Sequence, residues 1–194
     1  MDIGKRSEDS QIQASIYNNL GLISWNSEKF EKAIDYYLQA QDIFEKLGFT
    51  RGLGNTSNNI GLLYLETNNL NKALDFFKQS IAYREIHNDN VGLAANFSNI
   101  SKTFALLQQQ DSTLYYLNKS IKLKTATNDL RGLSIDYNNL GGLLESENKI
   151  DSALHYLKKA AKINEEIKAQ NLKKTNLKGI GSIYLTHKKT LKPP

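Results

Sequence analysis

The sequence predicts an all-α solenoid of antiparallel helix pairs, with four full repeats and a fifth first-helix. Three observations predict it. The motif Tyr17-Asn18-Asn19-Leu20-Gly21 returns every 40 residues, as Asn58-Asn59-Ile60-Gly61, Ser98-Asn99-Ile100-Ser101, Asn138-Asn139-Leu140-Gly141 and Lys178-Gly179-Ile180-Gly181, without insertion or deletion. Inside each period, apolar residues recur at spacings of three and four, the spacing of one helical face. A short polar turn splits each period into two such patterns. A constant period of this size marks stacked supersecondary units, each contacting its neighbours, in place of a single globular core.

The repeats run over about 11–50, 51–90, 91–130 and 131–170, with a partial one over 171–187. They are flanked by a flexible lead-in at 1–10 and a polar tail at 188–194. The first helix begins near Gln11, and Ile12, Ile16, Leu20 and Ile23 are expected on its core face. After Asn26-Ser27 the second pattern is Phe30, Ala33, Ile34, Tyr37, Ala40, Phe44 and Leu47, stopped by Gly48. The second repeat carries Ile60, Leu63 and Tyr64, a turn at Thr67-Asn68-Asn69, then Leu70, Ala73, Leu74, Phe77, Ser80 and Ile81. Asparagine suits that turn because it tolerates the left-handed conformation.

The third repeat is the least regular. Its turn, Gln108-Gln109-Gln110, has neither Gly nor Asn, and Ser101 replaces the glycine. Asp111 there, and Asp151 in the fourth repeat, are placed to cap the second helices. The fifth first-helix carries Leu177, Ile180, Ile183 and Tyr184, but no second helix follows. Ile183 and Tyr184 have the character of residues facing another layer. The chain is therefore expected to come from a longer array, the alternative being that this helix caps the stack.

Small residues recur for a packing reason. Gly21, Gly61 and Gly141 on first helices, with Ala33, Ala73 and Ala153 on second helices, fall where two backbones approach closely, while Tyr37 and Phe77 fill the adjoining gaps. This alternation, with Leu20-Gly21, Ala33, Tyr37 and Ala40 as its clearest copy, resembles the tetratricopeptide repeat in a 40-residue variant, over nearly the whole chain. Ser101, Thr113 and the absence of a proline at the repeat ends depart from that pattern. The resemblance implies a right-handed superhelix whose first helices line a concave groove that holds peptides or partner helices. The composition is also similar in style to tetratricopeptide regions of bacterial sensor and regulatory proteins.

On each first helix a second stripe lies beside the core stripe, comprising Ser15, Asn19, Leu22 and Asn26 in the first repeat and Asn55, Asn59, Leu62 and Glu66 in the second. Ala95, Asn99, Lys102 and Leu106 follow in the third, then Ile135, Asn139, Gly142 and Ser146 in the fourth. Asn19, Asn59, Asn99 and Asn139 thus recur once per repeat. A carboxamide both donates and accepts, so this series suits the backbone of an extended peptide. The resemblance implies such contacts at these four positions. Equally, each asparagine can bond a neighbouring helix and fix the stacking, and the two roles are compatible. Asn18, Asn58 and Asn138 stand beside the series and suit either role. Leu22, Trp25, Leu62 and Leu65 suggest an apolar floor for a partner's anchor, though Trp25 packing between first helices explains it as well. Lys102 and Lys178 make the far end basic, which favours a peptide with an apolar and an acidic segment.

The net charge of +5 is uneven. Between 158 and 194 ten lysines face two glutamates, a local charge of +8, while the remainder carries −3. Solvated lysines on terminal helices explain this better than a nucleic-acid site, because the tyrosines and phenylalanines are committed to packing and leave no stacking platform. Without cysteine there are no disulfides or thiolate metal sites. His87, His155 and His187 fall at different repeat phases, no His/Glu cluster has metal-ligand spacing, and Gly52-Leu53-Gly54 is a repeat junction, since Gly92-Leu93 and Gly132-Leu133 share its phase. No apolar run approaches the roughly 20 residues a membrane span needs. The expectation is a non-catalytic module without cofactor or metal, binding a protein or peptide in its groove, with neither nucleic acid nor membrane as partner. It would form part of a larger bacterial signalling protein, with the cytoplasm favoured over the periplasm, as a monomer or weak homodimer through the terminal repeat. The alternative is an assembly scaffold that stacks on itself or on its parent chain.

Overall fold

A computed structural model describes residues 3–186, with side chains from residue 7. The described residues form nine α-helices and no strand: α1 Ile3–Asn26, α2 Phe30–Lys46, α3 Thr50–Glu66, α4 Leu70–Glu85, α5 Asn90–Leu106, α6 Gln110–Ala126, α7 Leu130–Ser146, α8 Ile150–Glu166 and α9 Gln170–Thr186. The chain divides into two compact units, 1–109 with α1 to α5 and 110–194 with α6 to α9. Within each unit every helix packs on the next. The polar tail at 188–194 and His187 lie outside the described residues.

The 40-residue period resolves into two halves of 20. One residue per half takes a positive φ between 52° and 63°: Glu28, Gly48, Asn68, Asn88, Gln108, Asn128, Asn148 and Lys168. Each sits in the turn that reverses the chain, its N–H bonding back into the helix before it, as Asn68 does to Leu65 and Asn148 to Glu145. Four of the eight are asparagines, the non-glycine residue for which the left-handed region costs least. Gln108 adopts it with no such preference, in the turn that lacked Gly and Asn.

Close approach at the small residues is what permits the stack. A Cβ added to Gly21 would come within 2.6 Å of the Tyr37 ring, one on Gly61 within 2.6 Å of Phe77, and one on Gly141 within 2.7 Å of Leu157. Ala33, Ala73 and Ala153 are fully buried opposite. In the first unit the core holds two clusters, Ala14, Ala40, Phe44 and Leu53, then Ala33, Tyr37, Ile60 and Leu63. In the second unit it centres on Ala153, Leu154, Leu157 and Ile183. Ser101, at the third glycine position, is buried as well.

Three local expectations are corrected. The buried side of α1 is Ala14, Gly21 and Ser24, with Tyr17 and Leu20 half-buried, whereas Ile12, Ile16 and Ile23 are exposed at 53%, 53% and 60%. Close packing selects the small residues for the inner side, so the larger ones point outward although their spacing is equally helical. The helix also starts at Ile3 instead of Gln11. The caps fall elsewhere too: Asp111 and Asp151 lie inside the first turns of α6 and α8. Carboxylates there favour the helix dipole. Side-chain caps belong to Asp89 and Asp129, whose Oδ1 atoms accept from the Gly92 and Gly132 amides at 3.0 and 2.9 Å. Both positions need a glycine two residues inside the helix, since a Cβ there would strike the capping carboxylate.

Candidate partner-binding surface

The first helices carry the stripe expected to face a partner, and its side chains lie towards solvent. Ser15, Asn19, Leu22 and Asn26 are exposed on α1. On α3 Asn55 and Glu66 are exposed, with Asn59 and Leu62 half-buried. Ala95, Lys102 and Leu106 are exposed on α5 with Asn99 half-buried, and on α7 Ile135, Asn139, Gly142 and Ser146 are all exposed.

The two asparagines of each pair hold different positions. In the first unit Asn59 donates through Nδ2 to Oδ1 of Asn18 at 3.1 Å, and Asn99 donates to Oδ1 of Asn58 at 3.1 Å. The acceptor is always the first asparagine of the preceding repeat, half-buried between first helices, and Asn18 also accepts from the Thr56 hydroxyl at 3.4 Å. Each bond uses one N–H of Asn59 or Asn99, so the carbonyl oxygen and the second N–H stand outside that bond. In the second unit Asn138 again accepts, but from Asn176 Nδ2 at 2.8 Å, because Gly179 stands where a second asparagine would be.

The apolar residues divide as well. Leu22 is exposed and Leu62 half-buried, while Leu65 is buried and offers a partner little surface. Trp25 packs on the cluster of Ala33, Tyr37, Ile60 and Leu63, and its indole N–H donates to the Glu66 carboxylate. It thereby clips α1 to α3 at one edge of the stripe. Lys178 lies on a different face of α9, at the register of Asn138.

Sequence reasoning missed the polar residues buried between repeats. Thr56, Asn96, Asp136 and Asn176 are at most 2% exposed and share one phase. Each meets a different partner. Asn96 donates to the Phe77 carbonyl at 3.3 Å and accepts from Ser80, Asp136 pairs with Lys124 at 2.9 Å, and Asn176 accepts from Asn164 at 2.6 Å. The signal available was the recurrence of polar residues every 40 positions, one heptad before an apolar residue at 63, 143 and 183, of which Leu63 and Ile183 are buried. Among the described residues no group of three or more His, Cys, Asp or Glu is arranged to hold a metal, and no helix is long and apolar enough to cross a membrane.

Two family models, both of the tetratricopeptide repeat, match residues 12–86 and 137–167. The chain belongs to the tetratricopeptide-repeat family. Solved structures agree on the fold. A signal-transduction ATPase of the STAND class with a tetratricopeptide-repeat sensor, from Pyrococcus horikoshii, superposes with a TM-score of 0.82 at 16% identity over 91% of this chain and 28% of its own. The apo form of RapI gives 0.82 at 13% identity over 91% of this chain and 64% of its own. Aspartyl phosphate phosphatase F from Bacillus subtilis gives 0.77 at 15% identity over 92% and 50%. This tetratricopeptide-repeat chain thus spans less than two thirds of each. A comparison with curated proteins finds no match. The repeat family is one of protein-interaction modules, the class of activity this surface has to be judged against.

Proposed function

We propose that this chain is a non-catalytic interaction module that holds an extended peptide segment against its first helices, as the sensing or regulatory part of a larger signalling protein. The observation that carries the reading is the preorganised carboxamide pair. Asn59 and Asn99 are each fixed by a bond to the repeat before, yet each keeps one N–H and one carbonyl for a ligand's backbone. Fixing the side chain beforehand removes the rotamer cost that binding otherwise carries. Leu22 and Leu62 flank this row on one side and Lys102 stands exposed on α5, which favours an apolar segment followed by an acidic one. The sensor role named for the Pyrococcus protein supports, by analogy of fold, the placement within a signalling chain.

Selection from a random library of extended 12-residue peptides, followed by anisotropy titration, tests this. Selected sequences are expected to share an apolar and an acidic half. Asn59→Ala with Asn99→Ala should weaken them at least tenfold, given about 1 kcal/mol for each hydrogen bond lost. Unchanged affinity in a folded double variant would refute the reading.

A further inference from the structure

Residues 84, 124 and 164 share one register on the second helices α4, α6 and α8, and the first two are cations. Arg84 donates through Nε to the Ser80 hydroxyl at 3.1 Å, through Nη1 to Asp89 at 2.7 Å and through Nη2 to Asn55 at 3.1 Å. Lys124 pairs with Asp136 at 2.9 Å. At 164 stands the shorter Asn164, and there a cavity of about 80 Å³ lies between α7, α8 and α9. Ser134, Asn164 and Asn176, at 1%, 1% and 2% exposed, form its floor. Ile135 and Thr175, both exposed, form its mouth on the first-helix stripe, with Leu172 on one wall. In the first unit the Arg84 side chain fills the equivalent place, reaching Asn55 and packing its Cγ 3.4 Å from where a Cβ on Gly54 would lie. Gly54 and Asn55 are the counterparts of Ser134 and Ile135, so the cavity follows from the residue at this register. About 15 Å of helix separates Asn176 from Thr186, the last described residue.

The floor defines what fits. Asn164 donates through Nδ2 to Asn176 Oδ1 at 2.6 Å and Asn176 donates to Asn138 Oδ1 at 2.8 Å, but Asn164 Oδ1 is buried with no donor among the described residues. The Ser134 and Thr175 hydroxyls already donate to the Arg131 and Asn171 carbonyls, so towards a ligand their oxygens only accept. Among the described residues no charged side chain lines the cavity. Asp89 and Asp136, which match the two cations, are replaced at this junction by Ala169 and Asn176. An ammonium here would be buried without a counter-charge, and an anion would meet no base. An uncharged group with two donors and an acceptor remains, which is a primary carboxamide. We propose that this cavity is a carboxamide pocket, entered by a glutamine or asparagine side chain of a bound segment. One ligand N–H would donate to Asn164 Oδ1, and the ligand carbonyl would accept an N–H of the floor asparagines. The stem would lie against Ile135 and Leu172. Free glutamine is the poorer ligand, because its ammonium and carboxylate find no partner in an uncharged lining. The bound segment as source rests on the peptide-holding function proposed above, whereas the amide chemistry does not.

Propionamide, titrated into the isotope-labelled whole chain, tests the pocket by the NMR shifts of the Asn138, Asn164 and Asn176 side-chain amides. A Kd on the order of 1–10 mM is expected, with propanol, propylammonium and propionate each about tenfold weaker or worse. Acetylglutamine methylamide should bind at least about threefold tighter than free L-glutamine, and acetylglutamate methylamide about tenfold more weakly than its glutamine counterpart. Asn164→Leu removes the amide at similar size. Asn164→Lys with Asn176→Asp rebuilds the pair of Lys124 and Asp136 and fills the cavity, so the fold should hold. Both variants, followed at Asn138, should lose propionamide binding. The proposal falls if no side-chain amide shifts below about 100 mM propionamide, the cavity then holding water only. It also falls if propanol or propylammonium binds equally well, or if both variants bind propionamide normally. Propionamide binding with acetylglutamine methylamide no tighter than L-glutamine would uphold the pocket and overturn the bound segment as its source. The peptide selection described above can fail while propionamide still binds, which separates the two readings.

Discussion

The junction between α6 and α7 holds a fully buried carboxylate whose removal should be costly. Asp136 Oδ2 lies 2.9 Å from Lys124 Nζ and accepts from the Ser120 hydroxyl at 2.5 Å, and the two ionic side chains are 0% and 7% exposed. Asp136→Asn keeps the shape but leaves the Lys124 ammonium without its counter-charge, a loss of about 3–5 kcal/mol for a pair so well excluded from water. The same register one repeat later shows what the site tolerates, since Asn164 and Asn176 bond there at 2.6 Å. Lys124→Asn combined with Asp136→Asn should therefore cost at most about 1.5 kcal/mol, near the net worth of one hydrogen bond. The coupling between the two sites would then be at least about 2 kcal/mol. Repeat arrays do not unfold in one step, so the measurement is urea dependence of amide hydrogen exchange in α6 and α7, supported by melting temperature, where 3 kcal/mol corresponds to roughly 6–12 °C. A single-variant loss under about 1 kcal/mol, or a double-variant loss equal to the sum of the singles, would show that the pair contributes through shape alone.

Three further outcomes follow from the same packing. Tyr37 is fully buried, its hydroxyl has no hydrogen-bond partner among the described residues, and burial pushes its phenol up to about 12. Tyr37→Phe, which places there the ring that Phe77 supplies one repeat later, should stabilise the chain by about 1 kcal/mol at neutral pH. Because the folded phenol holds its proton to higher pH than the unfolded one, the Tyr37 contribution is complete below about pH 10 and is lost as pH rises through about 12. The gap between Tyr37→Phe and the parent chain should accordingly widen in alkaline melts, and a constant gap would count against it. Gly61→Ala sets a methyl 2.6 Å from the immobile Phe77 ring and should cost about 1–3 kcal/mol, while Gly142→Ala, with nothing within 4 Å, should gain about 0.5–1 kcal/mol by propensity; equal shifts in urea midpoint would refute the close-approach argument. Gln108→Gly relieves a left-handed glutamine at φ 59° and should raise stability by about 0.5–1 kcal/mol, which a lower melting temperature would contradict.

The period, the helix pairs and the small-residue contacts were legible because each rests on a local rule repeated in phase: a glycine opposite an aromatic, an asparagine in a left-handed turn. Which side of α1 faces inward was not. Ile12, Ile16 and Ile23 satisfy helical spacing as well as Ala14, Tyr17, Gly21 and Ser24 do, and spacing alone carries no information about the neighbour. The neighbouring registers do carry it. At the position of Ile16 the later repeats place Thr56, Asn96, Asp136 and Asn176, all buried: Thr56 bonds Asn18 on the first helix before, and the other three bond the second helix before. Those polar residues fix which helix each first helix accepts, because an incorrect neighbour would strand a buried carboxamide or carboxylate. The same logic separates the paired asparagines. Asn18, Asn58 and Asn138 face the next first helix and accept from it, so substituting them should disturb stacking before it disturbs binding. Asn59 and Asn99 are each held by that bond through one N–H, and the proposed contacts with a ligand's backbone would use the other N–H and the carbonyl oxygen.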